Sequence, residues 1–171
     1  NKTSKVVKVK VEVKEVVSVR KFEALDPSKL KNRADPNKVA VIIGIENYAQ
    51  APKANYANLD AKYFYEYATR GFGVKPENIN LLIDENATLV QSLIALSKWL
   101  PGKIKKDKTE LILFFSGHGL ASPDGKDLYL LSQDSDTDLL NRTAILRTDI
   151  FNDIQNSQPK NTSIFRSRTR P

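Results

Sequence analysis

The chain has 171 residues and a mass of 19.2 kDa, with a formal net charge of +7, a pI of about 9.5, no cysteine, no methionine and one histidine. Its length suits one domain with some additional chain. The composition excludes disulfides, zinc–thiolate sites, a cysteine nucleophile within these residues and multi-histidine metal centres, and no apolar run approaches the roughly 18 residues of a membrane span.

The charge is uneven. Residues 1–38 carry eleven basic and five acidic side chains, residues 39–159 twelve and fifteen, and residues 160–171 four and none. The basic excess therefore lies at the two ends of a mildly acidic centre. We read those ends as solvated, against a competing contact with nucleic acid or a membrane surface, and expect no nucleic-acid partner. The chain opens at Asn1 without an initiator methionine or a signal pattern. It reads as a piece of a longer protein, and the sequence assigns no compartment.

In residues 5–20, Val7, Val9, Val11 and Val13 alternate with charged residues, the period of a half-buried strand. Residues 26–38 hold two Asp-Pro pairs and read as a linker. From Val39 to Ile45 a continuous, β-branched apolar run predicts a strand buried on both faces. Leu59, Tyr63, Phe64 and Tyr67 have helical spacing, and Gly71 and Gly73 end that helix. Ile79 to Ile83 is a second strand. Thr88 and Gln91 form a capping box for a helix to about Leu100, with Val90, Leu93, Ile94 and Leu100 expected inward. Leu111 to Phe115 is a third buried strand, and Leu128 to Leu131 reads as part of a small hairpin. A short helix capped by Thr148 then leads to a fourth core strand from Thr162. Strands alternating with helices predict an α/β fold, a mainly parallel sheet covered on both faces. Chemistry in such sheets gathers at the carboxyl ends of the strands.

The segment after the first strand, Glu46-Asn47-Tyr48, has no glycine-rich phosphate loop. Asp134, Asp136 and Asp138 are spaced like the start of a calcium loop, but Leu139 and Ile145 occupy positions that need glycine and glutamate, so no metal site is expected. Asp124 and Asp127 suit a turn. The informative segment is Leu111-Ile-Leu-Phe-Phe-Ser-Gly-His-Gly-Leu120. Its histidine follows a buried strand between two glycines, where it could exchange protons and where the Gly119 N–H could meet a developing oxyanion. The alternative is a histidine in a glycine-rich bend with no chemical role.

Taken together, VAVIIGIENY, NLDAKYFYEY, GVKPENINLLIDENAT, LILFFSGHG and DLYLLSQD resemble the caspase-like peptidases, with most similarity to the bacterial and metacaspase-type branch. The resemblance covers residues 39–165 in order and spacing. It implies a three-layer α/β/α fold, incomplete at its C-terminus, and a cysteine endopeptidase acting on protein or peptide substrates through a Cys–His dyad. His118 matches the proton-transfer residue, Gly119 an oxyanion-hole donor, and Asp60 an aspartate that is structural or near the substrate. Calcium enters only by resemblance, without support in spacing. The implied division is the end of an upstream β segment over 1–25, a linker over 26–38, the peptidase domain over 39–165 and a basic tail over 166–171.

The sequence departs from the family after Phe165. The family continues with Leu-Asp-x-Cys-x-Ser-Gly, whereas this chain reads Arg166-Ser-Arg-Thr-Arg-Pro171, with Ser167 at the aspartate position and Thr169 at the cysteine position. A threonine nucleophile is rejected because its hydroxyl is far less acidic than a thiol, and Ser116 is too close along the strand to pair with His118. We therefore expect this chain alone to be inactive, the domain to need its missing C-terminal part, and exposed apolar surface to leave it marginally stable. The alternative is an inactive caspase-like scaffold or regulatory module. No arginine lies between Ile45 and Asp60, where relatives that cut after aspartate have one; Lys53 and Ala54 stand there. Cleavage after arginine or lysine is the expectation.

Overall fold

The computed structural model describes residues 26–167; the strand expected over 5–20 lies outside them. The strands are β1 (Lys38–Gly44), β2 (Ile79–Ile83), β3 (Glu110–Ser116), β4 (Gly119–Ala121), β5 (Leu128–Leu131), β6 (Ala144–Leu146) and β7 (Asn161–Ser167). The α-helices are α1 (Ala57–Glu66), α2 (Leu89–Leu93), α3 (Leu100–Lys103), α4 (Leu140–Thr143) and α5 (Arg147–Ser157). A wide π-helical stretch, Ile94–Trp99, joins α2 to α3 into one rod.

Strands β2, β1, β3 and β7, in that order, form an all-parallel sheet. Alternate residues of β1 serve opposite faces, as strand geometry requires. Val39, Val41 and Ile43 pack with Leu96, Leu100, Ile150 and Ile154, from the α2–α3 rod and α5. Ala40 and Ile42 pack with Ala61, Ala68, Ile112 and Phe114, beneath α1. Three layers result, in the α/β arrangement expected. A second, antiparallel sheet, β4-β5-β6, contains the expected hairpin. Residues of the 26–37 segment bond to the end of the α1 region, with Asn32 N donating to Arg70 O and Asp35 N to Gly73 O, both at 2.8 Å.

Helix α1 buries a different stripe from the one its large residues suggest. Ala57 and Ala61 are fully buried, whereas Leu59 and Tyr63 are exposed. The cause is a close approach: a Cβ on Gly44 of β1 would collide with the Ala61 Cβ and lie 2.6 Å from the Ala57 carbonyl oxygen. Only small residues fit between this helix and strand. Along the α2–α3 rod, Leu100 is buried as expected, but Val90, Leu93 and Ile94 are exposed, and Ser92, Ala95 and Leu96 face inward instead. Thr88 does cap α2, its hydroxyl accepting from Gln91 N at 3.3 Å. Helix α5 starts one residue before Thr148 and has no side-chain cap.

Strand β7 is not a core strand among the described residues. Its first six residues are exposed, because it is the sheet edge and pairs only with β3. Phe165 still packs on Phe64 and Phe72 of the α1 side, with ring centroids 5.2 and 5.9 Å away. On the other side Ile164, 53% exposed, borders an apolar groove of about 250 Å³ with Leu113, Ile150 and Phe151.

Candidate active site

The sheet's strands end level. Ile83, Gly44, Ser116 and Ser167 stand side by side in register. From β1 the chain leaves toward α1 on one face, and from β3 it leaves through β4 toward the other face. The crevice between these two ends is the switch point of a parallel sheet, where neighbouring connections diverge and leave room for a ligand. His118, immediately past β3, lies there.

Three anchors hold His118. Its backbone N–H donates to the Tyr48 hydroxyl at 2.8 Å, and its carbonyl accepts from Leu131 N at 3.0 Å. Its imidazole Nε2 is 2.8 Å from the Pro52 carbonyl oxygen. A carbonyl can only accept, so Nε2 carries a proton, and in the neutral ring the lone pair is on Nδ1. The Tyr48 and His118 rings lie 5.0 Å apart at 34°.

Gly119 pairs with Leu130 across β4 and β5. The flanking bond from Leu131 N to His118 O makes this a non-hydrogen-bonded pair, so the Gly119 N–H points away from β5. The Arg166 guanidinium lies 3.2 Å from where a Gly119 Cβ would stand.

Asp60, in the first turn of α1, spans two strand ends. It accepts from the Ser116 hydroxyl at 3.2 Å and from the Ser167 hydroxyl at 2.6 Å, both at Oδ2. Ser116 is fully buried, and its hydroxyl is engaged with Asp60. Ala54 is buried and donates its N–H to Glu46 O at 2.9 Å, while Lys53 beside it is exposed.

Sequence reasoning did not single out Tyr48, Pro52 or Asp84. Asp84 follows β2 and is 7% exposed. It accepts from Glu46 N at 2.8 Å, Asn47 N at 2.9 Å and Asn58 Nδ2 at 2.8 Å. It thus clamps the start of the 46–56 loop that carries Tyr48 and Pro52. Burial pushes its carboxyl up, but the Asn47, Asn58 and Glu46 donors outweigh this and hold it below the usual 3.8. Its left-handed backbone, φ +45, costs about 1–2 kcal/mol; hydrogen bonds to a charged acceptor contribute about 1.5–3 kcal/mol each, so the clamp prevails. A carboxylate one residue beyond an apolar strand was the available signal for Asp84. Pro52 acts through its backbone and has no side-chain signal.

Among the described residues, no group of three or more His, Asp or Glu side chains could hold a metal ion. Asp134 instead accepts from Leu89 N at 2.7 Å and Asp136 from Asp138 N at 2.9 Å. No described helix is long and apolar enough to cross a membrane.

The family model Peptidase_C14, described as the caspase domain, matches residues 37–165. No curated protein gives a significant match. Among solved structures, the chain is similar to the crystal structure of protein GSU0716 from Geobacter sulfurreducens, at 18% identity and a TM-score of 0.57 over 77% of this chain and 49% of that one. It spans about half the length of that protein, and the likeness concerns the fold alone.

Proposed function

Because the chain belongs to the caspase-domain family of peptidases, we propose that it carries the proton-transfer side of a caspase-like cysteine endopeptidase, with the thiol supplied from outside these 171 residues. The observation that carries the reading is the His118 imidazole, tied through Nε2 to the Pro52 carbonyl at 2.8 Å beside the level strand ends.

In this reading Nδ1 takes the proton of the cysteine thiol, and the thiolate attacks the scissile carbonyl carbon. The resulting imidazolium keeps its Nε2–H on Pro52, where the carbonyl dipole favours the added positive charge. The outward Gly119 N–H donates to the tetrahedral oxyanion. As the intermediate collapses, Nδ1 gives its proton to the leaving amine, and a water molecule then releases the acyl group with His118 as base.

Asp60 supports a preference for arginine or lysine on the acyl side of the cleaved bond. Its carboxylate stands at the strand ends between two hydroxyls, and an anion there favours a cationic side chain. The absence of arginine between Ile45 and Asp60 argues against a pocket for aspartate. A second reading, an inactive scaffold or regulatory module, is favoured by the absence of any cysteine in the chain.

A chemical test separates the two. The unaltered chain is expected to turn over no arginine, lysine or aspartate peptide. In a chain carrying Ser167→Asp and Thr169→Cys, the new thiol should react with iodoacetamide at neutral pH about tenfold or more faster than the same thiol beside His118→Ala, as expected for a histidine-paired cysteine. Equal alkylation rates would remove the dyad reading and leave the scaffold.

A further inference from the structure

We propose that Tyr48 is a positioning residue that sets the orientation and tautomer of His118, and that its hydroxyl is the reason position 117 must be glycine. The inference rests on the reading of His118 as the proton carrier.

At Ser116 the chain leaves the sheet, and the next main-chain donors lose their strand partners. The Tyr48 hydroxyl takes the place of a strand carbonyl by accepting the His118 N–H at 2.8 Å. With the His118 carbonyl held by Leu131 N, both sides of its Cα are fixed, and the imidazole swings only about its own side-chain bonds. From that fixed base Nε2 reaches Pro52 O. Tyr48 and Pro52 sit on one loop whose start Asp84 clamps. One rigid segment therefore supplies both the main-chain and the ring anchor.

Two further observations fit this role. A Cβ on Gly117 would run into the Tyr48 hydroxyl and approach the Phe115 ring to 3.1 Å. Burial pushes the Tyr48 phenol up to about 12, so it stays neutral at any working pH. It orients the imidazole without placing a charge beside it.

The single histidine makes the test direct, because every imidazole signal of the 15N-labelled full chain belongs to His118. At a pH where the ring is neutral, the unaltered chain should show mainly the Nε2–H tautomer and a His118 amide protected from solvent exchange. Tyr48→Phe should lower the ratio of Nε2–H to Nδ1–H about threefold to tenfold, the equilibrium weight of one net hydrogen bond, while the core methyl spectrum is retained. Gly117→Ala should displace the His118 signals strongly beside Tyr48 and much less beside Tyr48→Phe. The cost of its φ of +157 is common to both backgrounds and cancels in the cycle.

An unchanged tautomer ratio in Tyr48→Phe, or equal effects of Gly117→Ala in the two backgrounds, overturns the proposal. So does a freely exchanging His118 amide in the unaltered chain, a measurement that needs no variant to fold. None of these signals requires turnover. A failed thiol-reactivity test with these signals intact would remove the peptidase reading and leave the positioning role of Tyr48 standing.

Discussion

Asp84 is the residue on which the 46–56 loop depends most. Removing its carboxylate leaves three donors without their acceptor and puts an alanine in a left-handed conformation that suits aspartate better. Asp84→Ala should therefore lower stability by about 2–4 kcal/mol, measured by urea unfolding. The carboxyl of the folded protein ionises below the ordinary 3.8. Its stabilisation is thus complete above the unfolded value and disappears as acid protonates the folded form. The urea midpoint should fall as the pH drops below the ordinary 3.8, and Asp84→Asn should flatten that fall. The sequence singled out His118 by its place between two glycines after an apolar strand, and only the family resemblance weighted it toward a proton-transfer role. The partners of His118 were not legible there, since a hydroxyl 70 residues away and a carbonyl 66 residues away join it only through the sheet's register.

At the scale of elements, α1 and β1 show why strand positions were easier to read than helix faces. The central strands β1 and β3 are short apolar runs, and burial on both faces leaves no choice of orientation. A helix must choose a stripe, and α1 presents its alanines because Gly44 brings β1 close to it. Large residues therefore mark the wrong face when the contact is tight. Gly44→Ala should destabilise the fold by about 1–3 kcal/mol, the usual cost of overpacking, seen as a lower denaturation midpoint with an unchanged slope. Strand β7 shows a related effect. Its apolar residues suggest a core strand, but burial depends on neighbours, and its outer edge has none among the described residues.

At the scale of the molecule, that edge and the groove beside it leave apolar surface open among the described residues. Unpaired strand edges with exposed large side chains favour association. The chain should form concentration-dependent oligomers in sedimentation velocity, and Ile164→Lys should suppress them while changing unfolding stability by less than about 0.5 kcal/mol, as for other surface substitutions. Monomer at every concentration in the unaltered chain would contradict this. The bonds that shape the site also carry a kinetic consequence. They join residues 56, 66, 70 and 107 positions apart, and contacts of such separation form late, after the entropy of closing long loops has been met. A nascent or half-folded chain thus has the histidine but not its orientation, which waits on completion of the sheet.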